Sequence, residues 1–371
     1  MKALTIGGAT NDFIAIIEDD LIERMTMHNA TSSFLLFEEG RKVDATSIEA
    51  FVGGGATNAA VAMSRLGFDA AAIVKIGNDH AGDKIVETFH NEGVDDKFVI
   101  RSDKDATGRA VMVSSHVKNP TIFVCRGANT RLREDEITPE HFKSMDLIYI
   151  TGLSGDSSAA FPHIVSLAKQ SGAKIAANPG IRQLSSRSQD FYKSLELIDI
   201  LSLNEAETAQ LVPLIIKDHK KAKLVEVSPK SKGGDEEVTM PELVRNGLSA
   251  GGFNMSLGDF FATILHLGIE TFVLTNGKEG AYIGNKDGVY FCNSNKVDVK
   301  GTAGAGDAFF STFTSLLTDG ASIEDATHAA TINSSNVVAC IDTQSGLLKR
   351  NELKGRLKAF STKNCRNYKF V

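Results

Sequence analysis

The residues GTAGAGDAFF, at positions 301–310, lead directly into the amphipathic stretch STFTSLLTDG of 311–320, and this junction decides the fold assignment. A glycine-rich loop that opens a helix leaves backbone N–H groups unpaired at the positive end of the helix dipole. Glycine also lets a phosphate approach the backbone closely, because it has no Cβ. We therefore predict that Gly304, Ala305 and Gly306 form an anion hole at the start of this helix.

Asp307 adds a reactive group that a simple phosphate-binding loop lacks. It follows Gly306 directly and falls in the first turn of the predicted helix. A carboxylate there can take the proton from a substrate hydroxyl as the oxygen attacks a γ-phosphate. A favourable interaction with the helix dipole, worth ~0.3–1 kcal/mol, equally explains an aspartate at this position. The spacing by itself leaves both roles open.

A second glycine-rich stretch, GGGATN at 53–58, also precedes a helical pattern. Gly54 and Gly55 permit close backbone approach, and Asn58 can both donate and accept hydrogen bonds, which suits a polyhydroxyl ligand. A turn capped by Thr57 or Asn58 is the structural alternative. Neither glycine stretch is a GxxxxGK[ST] phosphate loop. The place after the first strand, where a dinucleotide fingerprint belongs, holds GGATND instead, which weighs against an NAD-dependent oxidoreductase.

Short apolar runs alternate with amphipathic helical patterns along the chain. The apolar runs are 3–6, 70–76, 147–150, 173–177, 198–203 and 271–275. The helical patterns are 57–66, 80–92, 157–170, 256–267, 305–318 and 322–340. Continuous apolar strands between helices predict an α/β fold, with a doubly wound, mostly parallel sheet covered by helices on both faces. We expect residues 1–371 to form one domain.

Two regions depart from this alternation of strands and helices, and each predicts an addition to the central sheet. Apolar and polar residues alternate in 13–17, 33–37 and 98–125, most clearly at 98–101 and 108–125, which predicts a small antiparallel sheet acting as a lid. Residues 217–251 are rich in charge and glycine, which predicts an exposed insertion. An oligomer contact or a cover over the nucleotide is the alternative for that insertion.

Composition excludes several classes of function. The net charge of -6 argues against a dedicated binder of nucleic acid or anionic membranes. No apolar stretch approaches the ~18 residues of a membrane span, so we expect a cytoplasmic protein. The cysteines at 125, 292, 340 and 365 lie far apart without a CxxC pair. That pattern predicts reduced thiols and no zinc or disulfide framework.

Three further polar residues stand at predicted strand ends. Asp12 falls at the carboxyl edge of the sheet, where a carboxylate suits a grip on two sugar hydroxyls, although a turn-forming role explains it as well. Asn204 is a natural N-cap with Glu207 as its capping-box partner. The functional alternative is that Asn204 and Glu207 organise water around a magnesium ion held by nucleotide phosphates.

In chain order, these stretches resemble the PfkB carbohydrate kinase family, whose fold is called ribokinase-like. GGGATN at 53–58 and GTAGAGDAF at 301–309 resemble its two signatures. The family also has three shorter motifs between these two signatures, and they are similar to GNDHAG at 77–82, NEAE at 204–207 and TNGKEGAY at 275–282. The resemblance covers the chain apart from about 210–255. It implies a ribokinase-like fold and transfer of the γ-phosphate of ATP to a hydroxyl of a small sugar.

The resemblance also implies roles for the matching positions. The implied acceptor contacts are Asp12, Gly54, Gly55 and Asn58. Thr275, Gly277 and Asn333 would lie along the nucleotide, with Asn333 beside the adenine. Gly304, Ala305 and Gly306 would form the anion hole, with Asp307 as general base. Asn204 and Glu207 would support Mg²⁺, Glu207 through water. The lid would close over the substrate and form a homodimer contact.

One position departs from the family pattern. The second signature usually begins with Asp, which helps to shape a monovalent-cation site, and here that position is Gly301. Asp298 is a candidate substitute, but the change weighs against activation by K⁺. For the acceptor, we expect a sugar such as ribose or fructose. The alternatives are a nucleoside stacked on Phe34, Phe37 or Phe123, and a catalytically silent binding protein, against which the intact Asp307 argues.

Overall fold

An eleven-stranded sheet forms the centre of the protein, whose computed structural model describes residues 1–18, 23–26, 33–40, 42–115, 121–227, 240–363 and 365–371. In spatial order its strands are β13 (Leu224–Glu226), β19 (Cys365–Phe370), β18 (Gly288–Cys292), β17 (Ala281–Asn285), β16 (Thr271–Thr275), β12 (Ile200–Asn204), β11 (Lys174–Asn178), β10 (Leu147–Thr151), β1 (Lys2–Gly7), β6 (Asp69–Gly77) and β7 (Ile100–Ser102). Strands β7 to β16 run parallel in this order, and the remaining strands at the β13 end pair antiparallel.

Helices cover both faces of this sheet. They are α1 (Gly55–Arg65), α2 (His80–Glu92), α3 (Phe161–Ser171), α4 (Gly180–Ser186), α5 (Ser188–Ser194), α6 (Glu205–Ile215), α7 (Glu242–Asn246), α8 (Leu257–His266), α9 (Ala305–Thr318), α10 (Ile323–Val338) and α11 (Arg350–Leu357). Short 3₁₀ helices occupy Gly127–Thr130, Glu134–Glu136, Pro139–Phe142, Gly155–Ala160, Leu195–Leu197, Ile216–Asp218 and Gly277–Glu279.

Alternation along the buried strands explains why two layers of helix are needed. Leu4 and Ile6 of β1 belong to a core shared with α3, α5, α6 and α8, whereas Ala3 belongs to a core shared with α1, α2, α9 and α10. Successive side chains of a strand point to opposite faces, so a strand that is apolar at every position must be covered on both sides. The prediction of a doubly wound, mostly parallel α/β sheet is confirmed.

A separate four-stranded sheet contains strands β5 (Ser47–Gly53), β2 (Thr10–Ile17), β8 (Gly108–Ser115) and β9 (Thr121–Cys125), in that order. We call it the small sheet. Phe13, Val111 and Phe123 are directly paired across three of its strands, and all three side chains are exposed. Ile14 and Met112, which point to the other face, are buried. The small sheet therefore presents one apolar face to solvent.

The strand predictions for this region need two corrections. Residues 98–101 do not join the small sheet, because Ile100–Ser102 pairs in parallel with Lys75–Gly77 at the edge of the central sheet. Residues 33–36 pair as β4 (Ser33–Leu36) with β3 (Glu23–Thr26) in a two-stranded ladder of their own. Alternation identifies a half-buried strand but carries no information about its partner, which long-range packing decides. Within the predicted 98–125 stretch, residues 116–120 lie outside the described residues.

The charged stretch 217–251 is mostly exposed where it is described, as predicted, but it also contains regular structure. Its β13 pairs with the C-terminal strand β19, and strands β14 (Leu248–Ala250) and β15 (Phe253–Met255) form a hairpin behind α7. Residues 228–239 of this stretch lie outside the described residues. Across the described part of the chain, no helix is both long enough and apolar enough to cross a membrane.

Candidate active site

Two cavities meet at the N-terminus of α9. The larger, about 590 Å³, has Ala305 and Gly306 in its lining, and the smaller, about 200 Å³, has Asp307 in its lining. Adjacent residues of one helical turn thus face different cavities. Gly304 caps the helix with a φ of 76°, and the Ala305 N–H donates to the Thr302 carbonyl at 3.4 Å. Among the described residues no side chain caps this end, so none competes with a ligand for the N–H groups that follow Ala305.

The larger cavity has a polar end and an apolar wall. Its polar lining includes Thr275, Gly277, Thr331, Ser334 and Ser335. Its apolar wall includes Val297, Val299, Phe309 and Val338. A volume of this size suits a nucleotide, because small-molecule sites typically enclose ~300–1,000 Å³. Thr275 and Gly277 thus line the same cavity as Ala305 and Gly306, and their contact with a nucleotide stays a prediction.

The smaller cavity lies between the carboxyl ends of the parallel strands and the small sheet. Its lining is Gly8, Thr10, Gly54, Gly55, Arg126, Asn129, Thr151, Gly152, Ser154, Asn178, Gly180 and Asp307. Ligands bind at this edge of open α/β sheets, where the connections after the strands diverge. Backbone, hydroxyl and amide groups dominate the lining, a set of donors and acceptors that matches the hydroxyls of a sugar.

Asp307 is held in place by Asn58, which lies 249 residues earlier in the chain. Asn58 Nδ2 donates to Asp307 Oδ2 over 2.9 Å. The amide oxygen of Asn58 accepts from Thr343 Oγ1 at 2.9 Å and from Gln344 Nε2 at 3.1 Å. These two bonds fix which end of the amide faces Asp307. The sequence predicted a substrate contact for Asn58, and the structure gives it an orienting contact with the predicted base.

The electrostatics of Asp307 follow from its position at the bottom of a narrow cavity. Part of its surface is open to the cavity, yet the surrounding protein removes enough water for burial to raise the pKa of the carboxyl. The hydrogen bond from Asn58 opposes this and lowers the pKa. Burial, with a smaller effect of the Asp307 charge, raises the pKa of Tyr149 well above its usual range. Tyr149 therefore stays neutral beside the carboxylate.

Two glycines of the site are required by geometry. Gly54 has a φ of 98°, and a Cβ there would lie 2.5 Å from the Gly8 carbonyl oxygen. Gly304 has a φ of 76°, and a Cβ there would lie 2.7 Å from Thr343 Cβ. Gly306, in contrast, has open space where a side chain would begin. A phosphate can approach this open backbone closely.

Asp12 is buried in the small sheet, next to the smaller cavity but outside its lining. Burial raises the pKa of Asp12 to about 6, and a hydrogen bond with Thr10 partly opposes that shift. Within the described residues, Asp12 Oδ1 has no hydrogen-bond partner. A buried carboxylate oxygen without a partner costs free energy that a ligand hydroxyl would recover. Its neighbour Thr10 lines the cavity directly.

Asn204 and Glu207 form the capping box that the sequence indicated. Asn204 Oδ1 accepts from the Glu207 N–H at 2.9 Å, and Glu207 Oε2 accepts from the Asn204 N–H at 3.0 Å. Burial, and to a smaller extent the charge of Asp307, raises the pKa of Glu207. Asn204 is also paired in register with Thr275 on the neighbouring strand. The pair stands close to the site, although neither residue is part of the described lining of the two cavities.

The structure does not bring Asn333 into the larger cavity. Its side chain is fully buried, donates to Thr312 Oγ1 over 2.7 Å and accepts from the Leu348 N–H over 2.8 Å. The residues of α10 that line the cavity are Thr331, Ser334, Ser335 and Val338. One helix face carries these positions, and Asn333 points to another, toward α9. The prediction that Asn333 lies beside the adenine is therefore wrong, because the register of α10 directs its side chain away from the larger cavity.

Gly301 has no side chain to offer a cation. Its Cα faces the carbonyl oxygens of Cys340 and Ile341, which would lie 3.2 and 3.3 Å from a Cβ at that position. Asp298, the candidate substitute, is exposed. The residues at this loop therefore do not fit the carboxylate-assisted monovalent-cation site that the resemblance implies.

Sequence reasoning assigned no site role to four residues that shape the site. Arg126 and Asn129 line the smaller cavity, and Asn129 exchanges two hydrogen bonds with the backbone of Ala9. Thr343 and Gln344 hold Asn58 from a loop after α10. Arg126 and Asn129 belong to RGAN, directly after an alternating strand, which was the available signal. The contact of Thr343 and Gln344 with Asn58 spans more than 280 residues and has no local signal.

Comparison with known proteins agrees with this geometry. The family model described as "pfkB family carbohydrate kinase" matches residues 17–238 and 259–350, most of the chain. The chain belongs to this family, and its class is that of phosphotransferases with an alcohol group as acceptor.

Particular relatives include two bacterial sugar kinases. The chain is 25% identical over 272 residues to the ribokinase of Staphylococcus aureus (strain COL), covering 72% of this chain and 75% of the relative. It is 25% identical over 357 residues to the 2-dehydro-3-deoxygluconokinase of Bacillus subtilis (strain 168), covering 92% and 97%. The solved structure of Arabidopsis thaliana ribokinase complexed with ribose and ATP aligns with a TM-score of 0.70 at 19% identity, covering 97% of this chain and 99% of the other. That likeness shows the ribokinase fold.

Proposed function

We propose that this protein transfers the γ-phosphate of ATP to a hydroxyl of a small sugar, with Asp307 as general base. The observation that carries the proposal is the position of Asp307, oriented by Asn58, in the lining of the smaller cavity and directly after Ala305 and Gly306, which line the larger one. One cavity suits a nucleotide and the other suits a sugar, so a carboxylate between them stands where phosphoryl transfer needs a base.

The chemical step follows from this arrangement. Asp307 takes the hydroxyl proton, the hydroxyl oxygen forms a bond to the γ-phosphorus, and the bond from that phosphorus to the bridging oxygen of ADP breaks. The backbone N–H groups at the start of α9, after Gly304, stabilise the charge that builds on the transferred phosphoryl group. Asp12 and the glycines Gly54 and Gly55 hold the acceptor hydroxyls, so that one of them is in line with the phosphorus.

Mg²⁺ fits the acidic side of this site. The charge of Asp307 contributes to the raised pKa of Glu207, so a cation nearby would stabilise both carboxylates. Asn204 and Glu207 would hold such an ion through water, since their side-chain oxygens already accept from backbone N–H groups of the pair and, for Glu207, of Ile181. When bound, Mg²⁺ neutralises charge on the nucleotide phosphates.

The small sheet serves as the lid in this proposal. It borders the smaller cavity through Thr10, and closure over the acceptor would exclude water that competes for the phosphoryl group. Its exposed face of Phe13, Val111 and Phe123 supports a homodimer contact, which light scattering of the purified protein would test. We place the protein in the cytoplasm.

The volume of the smaller cavity favours a sugar over a nucleoside. About 200 Å³ holds a pentose or hexose ring more readily than a ring with an attached base. Phe37 and Phe123 are 46% and 60% exposed and stand outside the described lining of this cavity, so neither forms its base-stacking wall. The side chain of Phe34 lies outside the described residues.

An acidic sugar is a second candidate acceptor, and Arg126 is the observation that favours it. Arg126 lines the smaller cavity, and among the described residues no carboxylate pairs with it. Burial, followed by the charge of Arg182, lowers the pKa of Arg126. A sugar carboxylate would pair with this half-buried cation. We expect Arg126→Gln to lose at least about 10-fold in kcat/KM for an acidic sugar and little for a neutral one.

The decisive experiment measures ATP consumption by the purified protein with Mg²⁺. The acceptor panel contains pentoses, hexoses, sugar acids and nucleosides, each with and without K⁺. Turnover on one sugar class, lost in Asp307→Asn, is the expected result. Absence of turnover across the panel, with ATP or a sugar still raising Tm, would overturn the kinase proposal in favour of a binding protein on the same fold.

A further inference from the structure

Two cysteines and a histidine converge near the C-terminal edge of the central sheet. Cys292 is the last residue of β18 and is paired directly with Cys365, the first residue of β19. Their Sγ atoms are 3.3 Å apart, and Cys365 Sγ is 3.8 Å from Nε2 of His328 on α10. The three potential ligand atoms all lie within 4.8 Å of one another. The phosphotransfer site uses none of these residues.

An ordinary structural explanation covers part of this arrangement. His328 is buried, stacks on Phe360 and is hydrogen-bonded through Nε2 to the Tyr290 hydroxyl at 2.5 Å. Small buried thiols are common core residues. That explanation does not account for two thiols and an imidazole nitrogen aimed at one point. Those are the donors that zinc prefers, and a tetrahedral zinc site separates its sulfur and nitrogen ligands by roughly 3.4–3.8 Å.

We propose that Cys292, His328 and Cys365 bind one zinc ion, as a structural site distinct from the phosphotransfer site. The ligand atom of Cys365 lies 3.3 Å from that of Cys292 and 3.8 Å from that of His328, close to tetrahedral separation, and all three lie within 4.8 Å of one another, so binding needs only small side-chain adjustments. Each thiol releases its proton when its sulfur coordinates, and His328 binds as the neutral imidazole. The fourth position faces Tyr290, whose hydroxyl gives up its bond to Nε2 and coordinates directly or through a water.

The location of the cluster would give the zinc ion a structural role. It joins three elements: the end of β18, the middle of α10 and the start of the C-terminal strand β19. Two of these border the larger cavity. Ser294 to Val297 follow Cys292 into its wall, and Thr331, whose Oγ1 is 3.7 Å from Cys292 Sγ, lies in its lining. A bound ion would therefore fasten the C-terminal strand to the wall of the nucleotide cavity.

A disulfide is the competing chemistry for the same atoms. Oxidation of Cys292 and Cys365 would form an S–S bond, transfer two electrons to an external oxidant and remove both sulfur ligands. His328 has no part in a disulfide, whereas it is a required ligand in a zinc site. A histidine variant thus separates the two chemistries.

The test uses the full chain, reduced and stripped of metal, titrated with Zn²⁺ against a chromophoric chelator and, separately, with Co²⁺ in an absorption spectrometer. We expect one equivalent of zinc, a thiolate-to-cobalt charge-transfer band and a rise in Tm. Cys365→Ser and His328→Gln should each weaken zinc binding at least about 100-fold. Cys340→Ser is the matched control, because Cys340 bonds to the Asn336 carbonyl outside the cluster, and it should bind like the wild type.

Three outcomes would overturn the proposal. One is a reduced wild-type chain that takes up no zinc. Another is a His328→Gln variant that binds zinc as tightly as the wild type. The third is a Cys292–Cys365 disulfide, found by mass spectrometry, in a chain that takes up no metal after reduction. Circular dichroism shows whether each variant folds, and if Cys365→Ser does not, His328→Gln alone decides the question.

Discussion

The two cavities that meet at α9 are built in different ways. In the smaller one, the carboxylate proposed as the base is held by a chain of side-chain hydrogen bonds from Thr343 and Gln344 through Asn58 to Asp307. The larger one is lined by polar and charged groups, Lys278 and Lys296 among them, and by apolar side chains. The acceptor end thus depends on the position of single atoms, and the nucleotide end depends on shape.

Loss of the base should give the largest effect and confine it to the chemical step. Asp307→Asn keeps a group that can accept from Asn58 but cannot take a proton. We expect kcat to fall by about 10³-fold with ATP affinity nearly unchanged, measured by steady-state kinetics and ATP titration. Asp325→Asn, in the first turn of α10, is the matched control and should leave both unchanged. A kcat within a few-fold of the wild type would contradict the assignment.

The same substitution should stabilise the fold at neutral pH. Burial raises the pKa of Asp307, so the folded state holds its proton more tightly than the unfolded state does. Stability from this group is therefore present below the unfolded pKa and is lost as the pH rises through the folded pKa. At neutral pH the ionised Asp307 costs stability, and Asp307→Asn should raise Tm. That gain should shrink as the pH falls through the folded pKa of Asp307, and it should be absent below the pKa of an unfolded aspartate.

Removal of the orienting amide should give an intermediate effect with a characteristic pH dependence. The hydrogen bond from Asn58 lowers the pKa of Asp307. Asn58→Ala should therefore move the acidic limb of the pH profile of kcat/KM to higher pH. We expect kcat at neutral pH to fall roughly 10–100-fold. Asn333→Ala also deletes a buried amide with two hydrogen bonds, and it should destabilise the fold without moving that limb. An unmoved limb in Asn58→Ala would assign Asn58 a purely structural role.

Of these variants, Gly54→Ala should have the smallest effect on catalysis. It tests whether the two cavities bind their ligands independently. Gly54→Ala meets both an unfavourable φ and the Gly8 carbonyl, so we expect about 1–3 kcal/mol of destabilisation and a KM for the acceptor about 10-fold higher. The KM for ATP should stay the same. Gly320→Ala shares the positive φ but has open space around its Cβ, so it should cost some stability and leave both KM values unchanged. A raised KM for ATP in Gly54→Ala would mean that the cavities are not independent.

Local patterns were sufficient for the parts of the molecule that depend on neighbours in sequence. The parallel strands, the helix after Gly304 and the capping box of Asn204 and Glu207 all follow from short-range spacing and hydrogen bonding. The partner of 98–101 and the direction of Asn333 were predicted incorrectly. Both depend on which distant surface an edge strand or a helix face meets.

The sequence by itself determined the α/β architecture and the class of reaction, and it predicted an anion-binding loop before α9. Each of these comes from residues within a few positions of one another. Only the tertiary structure decided that Asn58 orients Asp307, that Arg126 lines the acceptor cavity and that Cys292 lies against Cys365. The sequence pattern favoured isolated thiols, because the two cysteines are 73 residues apart. Strand pairing and helix packing set such distances, and neither is encoded in local spacing.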